Sequence, residues 1–204
     1  DQMSDIISDH FSSVSEEKIS IIEKKINLGC NLLELDTFGS KLKDTKNTIL
    51  KDKATKFLKE RKLSEYANQV YIGDKSCNKD YDGDMDVHPD FFGRLIIPFI
   101  DKISGCYFFQ GRTLFKDNPK YLNPSSKETG VKARNILYPF KNEESIVLVE
   151  GVLDCLTLQS CDINATSLQG AVISRQQVNV LKQHDFKRII ISMDNDEGFK
   201  YLGL

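Results

Sequence analysis

The apolar positions of this chain change their rhythm near residue 145. Before that point helical and strand-like patterns are mixed. Ile19, Ile22 and Ile26 share one face of a predicted helix over 15–28, and Ala54, Phe57, Leu58 and Arg61 mark a second, running from 52 and ending before Tyr71. A Lys-, Asp- and Thr-rich stretch over 40–53 reads as a linker. Residues 94–100 and 105–110 are apolar and aromatic runs either side of Asp101-Lys102-Ile103-Ser104, the pattern of two antiparallel strands and a turn. From 145 the runs become short and wholly apolar: a strand over 145–149, a helix over 152–161, a strand over 165–168, a helix over 174–184 with Val178 and Leu181 on one face, and a strand over 188–193. Unalternated strands interleaved with helices predict an α/β unit, a buried and mostly parallel sheet with flanking helices. The expected organisation is an N-terminal helix and linker over 1–50, a smaller, basic α+β subdomain over 51–141, and the α/β unit over 142–204.

Composition narrows the class. Apolar residues at 40% and charged residues at 28% are those of a globular protein, and no window approaches the run of about 18 apolar residues that a spanning helix needs. An intracellular, cytoplasmic protein without a membrane partner is expected. Cysteines at 30, 77, 106, 155 and 161 form no Cys-x-x-Cys pair and are read as free thiols. Asp1 and Leu204 both read as cut ends of a longer protein. The net charge of −2 hides a sharp division along the chain: residues 1–73 are neutral, 74–93 carry −4, 94–141 carry +6 and 142–204 carry −4. A basic block can hold a polyanion while carboxylates in the next block hold divalent metal, which is the division of labour in nucleotide polymerisation. An uneven but solvated surface gives the same numbers.

The acidic residues of the last block stand at particular places. Glu150 directly follows the strand 145–149, and Asp194 and Asp196 directly follow the strand over 188–193. In sheets of this kind ligands bind at the carboxyl ends of the strands. If extended geometry continues, alternation puts Asp194 and Asp196 on the same side, so three carboxylates can converge on a hard cation such as magnesium. The competing reading is that Glu150 and Asp154 serve the first turn of the following helix, where acidic residues are favoured.

Glu150-Gly151-Val152-Leu153-Asp154 and, some forty residues on, Asp194-Asn195-Asp196 with Gly198 resemble the two signature motifs of the TOPRIM domain, in the version used by DnaG-type primases. Upstream, Arg94-Leu95-Ile96-Ile97-Pro98-Phe99 resembles the primase Arg-x-x-x-Pro-Ile strand and Gln110-Gly111-Arg112 its Gly-Arg turn. Pro119-Lys120-Tyr121-Leu122-Asn123 resembles its basic motif, and Arg134-Asn135-Ile136-Leu137-Tyr138 its Leu-Tyr element. Their order agrees over 94–198. The resemblance implies a TOPRIM-like sheet in which Glu150, Asp194 and Asp196 are catalytic and organise Mg2+ or Mn2+. It further implies that Arg94, Arg112, Lys120 and Asn123 contact nucleotide and template, and that Gly151 and Asp154 support the loop. The implied activity is primer synthesis from ribonucleoside triphosphates on single-stranded DNA, with a replicative helicase as partner, in a bacterial cell or a phage-infected host. The sequence departs from the family pattern where Asp196-Glu197-Gly198 is one residue shorter than the usual turn. No zinc ribbon precedes the core, and a further acid and the last TOPRIM strand are expected beyond Leu204.

Two other features are set aside. Asn78, Asp80, Asp82 and Gly83 copy the opening of an EF-hand loop, but Pro89 stands where its bidentate Glu is required, so a solvated acidic loop is expected. His88 and His184 have no metal-ligand spacing and are assigned no role. Two rival functions remain: a TOPRIM-type nuclease or strand-breaking enzyme, which uses the same metal cluster but needs a nucleophile or nuclease domain not recognisable here, and a non-catalytic single-strand-binding module, which has no need of the carboxylates.

Overall fold

The computed structural model describes residues 30–74, 91–101, 105–116 and 119–194. The predicted helix over 15–28, the EF-hand-like loop, His88, Cys77 and Asp196 lie outside them.

Apolar residues at four-residue spacing build the first long element. Helix α1 (Leu35–Phe38) and strand β1 (Ser40–Lys41) precede α2 (Thr48–Glu60), whose start is set by the Asn47 side chain accepting from Leu50 N. Leu50, Ala54 and Leu58 then recur on one buried face. Lys62, at φ 59°, and the bond from Leu63 N to Leu58 O close the helix. The linker expected over 40–53 is therefore a strand followed by the first turns of a helix. Its lysines face water while Leu42 and Leu50 are buried, so composition hid the apolar face.

Strands β2 (Tyr71–Ile72), β3 (Arg94–Asp101), β4 (Gly105–Thr113) and β5 (Tyr121–Leu122) join β1 in an antiparallel sheet of order β1-β2-β3-β4-β5. The β3–β4 hairpin is its spine, in register from Arg94 opposite Thr113 to Asp101 opposite Gly105, with a bulge at Phe99/Ile100. Both faces of β3 are covered. Leu95, Ile97 and Phe99 pack with Phe108 and the α2 face, while Ile96 packs with Phe38, Phe91 and Phe109 on the other side. Gly111 and Arg112, expected in a turn, lie inside β4, paired to Ile96 and Leu95 on one side and to Leu122 and Tyr121 on the other.

After α3 (Ser126–Thr129) and a 3-10 turn over Ala133–Asn135, the chain enters the parallel sheet. Strand β6 (Ser145–Val149), helix α4 (Val152–Ser160), strand β7 (Ala165–Ser167), helix α5 (Arg175–Lys182) and strand β8 (Arg188–Ser192) follow the expected alternation. The sheet order is β7-β6-β8, all parallel. One core joins the two sheets: Val149, Val152, Cys155, Leu156 and Ala165 pack in the same cluster as Leu58, Ile72, Phe99 and Phe108. Burial pushes the Cys106 thiol up to about 11, and raises the Cys155 thiol as well. None of the four described cysteines is in a disulfide. No helix among the described residues is long and apolar enough to cross a membrane.

Strand β8 departs from what its periodicity alone gives. Its wholly apolar run reads as a buried strand, yet every residue from Arg188 to Ser192 is exposed, Ile191 by 65%. Periodicity cannot tell a covered strand from one at an uncovered edge. Here α4 and α5 close over β6, β7 and the segment before β6, and β8 pairs only with β6. Replacing Ile146, fully buried in β6, by Ala is expected to cost about 2–4 kcal/mol in urea unfolding. Ile191→Ala is expected to cost less than about 1 kcal/mol. Equal costs would show that β8 is covered in solution.

Candidate active site

Register fixes the acidic edge. In the β6–β8 pair Val149 stands opposite Ser192, so Glu150 and Asp194 both leave the sheet at its carboxyl end, on neighbouring parallel strands. Glu150 is half-buried and Asp194 exposed. Among the described residues no group of three or more His, Cys, Asp or Glu side chains is placed to hold a metal ion, and Asp196, the third expected ligand, lies outside them.

Gly151 follows at φ −103°, so it is not there for left-handed backbone. A Cβ on it would stand 2.8 Å from Asp154 Oδ2. The carboxylate of Asp154 folds back over the start of α4, where negative charge meets the positive end of the helix dipole. Asp154 thus supports this turn, and glycine lets its carboxylate approach. Among the described residues, the side-chain oxygens that the register brings to this end of the sheet are those of Glu150, Asp194 and, on the β7 side, Gln169, whose Oε1 is buried without a partner. That set suits a hard divalent cation such as magnesium or manganese rather than zinc.

The cations come from the antiparallel sheet. Arg112, on β4, holds its guanidinium 5.0 Å from the Tyr121 ring centre and 5.7 Å from that of Phe57. Its Nε and Nη1 are buried without a hydrogen-bond partner. Arg61, at the end of α2, stacks on the other member of this group, 5.2 Å from Phe57. Lys120 is exposed, with Nζ 5.9 Å from the Tyr121 ring. Burial raises the Tyr121 hydroxyl above its ordinary range; the charges of Arg112 and Arg61 oppose the shift, and Asp154 adds to it.

Arg94, for which the resemblance implies a contact with nucleotide and template, is only 7% exposed, and its Nη1 donates to Gly111 O at 3.3 Å and Pro119 O at 2.9 Å. It braces the segment that carries Lys120. Asn123 is likewise engaged, accepting from Gln110 Nε2 at 3.0 Å.

Two glutamines had no place in the sequence expectations. Gln177 is fully buried: it completes a capping box with Ser174 and donates to Ile136 O at 2.8 Å and Leu168 O at 2.7 Å. The Ser-x-x-Gln spacing that marks a helix start was its only sequence signal. Gln169 had none.

Comparison with known proteins agrees with the resemblance. Residues 147–199 match the family model described as Toprim-like. The DNA primase of Clostridium acetobutylicum is 33% identical over 116 residues, which are 54% of this chain and 19% of that protein. A DNA primase domain from Pseudomonas aeruginosa superposes with a TM-score of 0.63 at 20% identity, over 81% of this chain and 61% of that one. A DnaG primase catalytic domain bound to single-stranded DNA gives 0.59 at 21%, over 80% and 60%. The chain spans about a fifth of the length of the curated primase it matches. It has the fold of a DnaG catalytic core, with a Toprim-like segment, and it resembles DNA primases in sequence over about half its length.

The contrast between Arg94 and Lys120 is testable by stability alone. Arg94→Ala strips two backbone carbonyls of their donor and is expected to cost about 2 kcal/mol in urea unfolding. Lys120→Ala, at an exposed position, is expected to stay within about 0.5 kcal/mol. A neutral Arg94→Ala would return that residue to the groove.

Proposed function

We propose that this chain is catalytic sequence of a DNA primase, making RNA primers on a single-stranded DNA template by nucleotidyl transfer. The observation that carries the reading is the β6–β8 register, which brings Glu150 and Asp194 to one carboxyl edge of a parallel sheet. The likeness to DNA primases supports it.

In this reading Glu150 and Asp194, with Asp196, hold Mg2+ or Mn2+. When bound there, the ion supplies charge neutralisation to a nucleoside triphosphate, as hard cations do in phosphoryl transfer. Arg112 and Lys120 bind phosphate oxygens. The Phe57 and Tyr121 rings hold the Arg112 guanidinium in one orientation, so little freedom is lost when an anion meets it. Arg94 positions Lys120 through Pro119 O, and Asn123 contacts template or nucleotide beside it. The 3′-hydroxyl of the growing primer forms a bond to the α-phosphorus, the bond to the β-phosphate oxygen breaks, and pyrophosphate leaves. Ribonucleoside triphosphates are the substrates and a replicative helicase the partner, in the cytoplasm of a bacterial cell or a phage-infected host.

The test is incubation of the intact protein with single-stranded DNA, labelled ribonucleotides and magnesium. Short template-dependent RNA is expected, falling on the order of 10²-fold or more in Glu150→Gln and in Asp194→Asn. Cleavage of the DNA instead would favour the strand-breaking enzyme. Template binding without synthesis would favour the non-catalytic binding module.

A further inference from the structure

Among the described residues three non-glycine positions have positive φ: Lys62, Asp162 and Gln169, at 59°, 57° and 63°. Lys62 and Asp162 follow the last turns of α2 and α4, where a left-handed residue closes a helix end. Gln169 follows no helix. It stands two residues past β7, before Gly170, where a glycine would avoid the crowding that a Cβ brings to left-handed backbone.

The side chain is as unusual as the backbone. Gln169 Nε2 donates to Ser167 Oγ at 2.6 Å, with a longer contact to Ser167 O at 3.4 Å. Those contacts fix the carboxamide and leave Oε1 buried with no partner. A turn residue chosen for stability alone has neither the strain nor the empty acceptor. Both at one position are the mark of a group kept for a ligand.

Place and chemistry identify the donor. Ser167 stands opposite Val149, and Leu168 N donates to Val149 O at 2.9 Å, so Gln169 leaves the sheet beside Glu150 and Gly151. Glu150 and Asp194, ionised, only accept hydrogen bonds, and so does the free Gln169 oxygen. The missing partner is a hydrogen-bond donor, N–H or O–H, and beside carboxylates a hydrated cation supplies the O–H. Magnesium and manganese keep waters in their shell, and a cation-bound water is a strong donor; a nucleotide ribose hydroxyl is the other source of the same chemistry. We propose that Gln169 Oε1 accepts a hydrogen bond from a water bound to a divalent cation at the Glu150–Asp194 edge, so that Gln169 is a positioning residue for the hydrated ion. The inference rests on the metal-dependent reading of that edge. Acceptors of this kind orient metal-bound groups, and their loss typically weakens metal binding about 10–100-fold.

The experiment is a titration of the 204-residue chain with Mn2+, followed by electron paramagnetic resonance, with thermal unfolding measured on the same samples. Gln169→Gly relieves the left-handed strain and is expected to raise the unfolding midpoint by about 2–4 °C. The same variant, and Gln169→Leu, is expected to bind Mn2+ about tenfold more weakly. Gln169→Glu, which keeps an acceptor there, is expected to retain the affinity. A more stable protein that binds its ion less well is a result that a purely structural glutamine does not give. Unchanged Mn2+ affinity in Gln169→Gly and Gln169→Leu, alongside a clear loss in Glu150→Gln, overturns this inference and leaves the metal reading standing. The same holds if those variants change only the preference for ribo- over deoxyribonucleotides, which assigns the oxygen to the sugar. Unchanged affinity in Glu150→Gln overturns the metal reading itself.

Discussion

The arrangement of both sheets depends on a short stretch of backbone that belongs to neither. Ile136, Leu137 and Tyr138 are buried between them, yet they lie in no strand, so their carbonyls have no ladder partner. Buried backbone acceptors left empty are costly, and side chains fill these one by one. Gln177 donates to Ile136 O, the Tyr107 hydroxyl to Leu137 O at 3.0 Å, and the Thr166 hydroxyl to Tyr138 O at 2.7 Å. Gln159 reaches the next carbonyl, that of Pro139, and Ala165 O as well. The donors come from β4, β7, α4 and α5, so the antiparallel and parallel sheets are tied through one segment. Phe99 and Tyr138, with ring centres 4.8 Å apart, close the apolar side of the same joint.

That joint sets the distance between cations and acids. Arg112 rides on β4, the strand that also carries Tyr107, and Glu150 ends β6, which the chain reaches directly after the joint. A shift of the segment would therefore move the basic wall against the acidic edge. Arg112 lies within β4, and Lys120, Glu150 and Asp194 lie one or two residues from the ends of β5, β6 and β8, so the candidate site is held close to the sheets rather than on long loops.

How much of this was legible in the chain follows from what periodicity records. The strands after 145 and the helices between them were read within one or two residues, because each buries an apolar run of characteristic length. Glu150 and Asp194 were legible for the same reason: a carboxylate after such a run has its place set by the sheet. The segment over 40–53 was misread because its lysines and aspartate outnumber the two leucines that matter, and the Gly111-Arg112 pair because glycine suggests a turn, although here it admits Phe91 and Arg94 against the strand. The exposure of β8 could not be read from its periodicity, since an apolar strand reads alike whether covered or bare; it was legible only through the family resemblance, which places a further strand over that apolar face. Gln159, Gln177 and Gln169 left no trace as sites, because a glutamine's role is decided by which carbonyl or donor happens to lie within reach.

Arg94 and Arg112 show what separates a structural polar group from one held for a ligand. Both are arginines on neighbouring strands of one sheet, and in sequence both read as groove cations. Arg94 is the more deeply buried, but its guanidinium meets backbone carbonyls, and its charge is used up inside the fold. Arg112 is flanked by the Phe57 and Tyr121 rings and hydrogen-bonds the Tyr121 hydroxyl, while its Nε and Nη1 are buried without a partner. Each unmet donor costs on the order of 1–3 kcal/mol, which nothing in the packing around Arg112 requires. An anion that filled both at once would recover that cost and would be recognised in one orientation, because the guanidinium fork is planar. Basic side chains at 94 and 112 are therefore not interchangeable: the donors of the first that meet Gly111 O and Pro119 O are spent inside the fold, and the second keeps two donor atoms that an anion could fill.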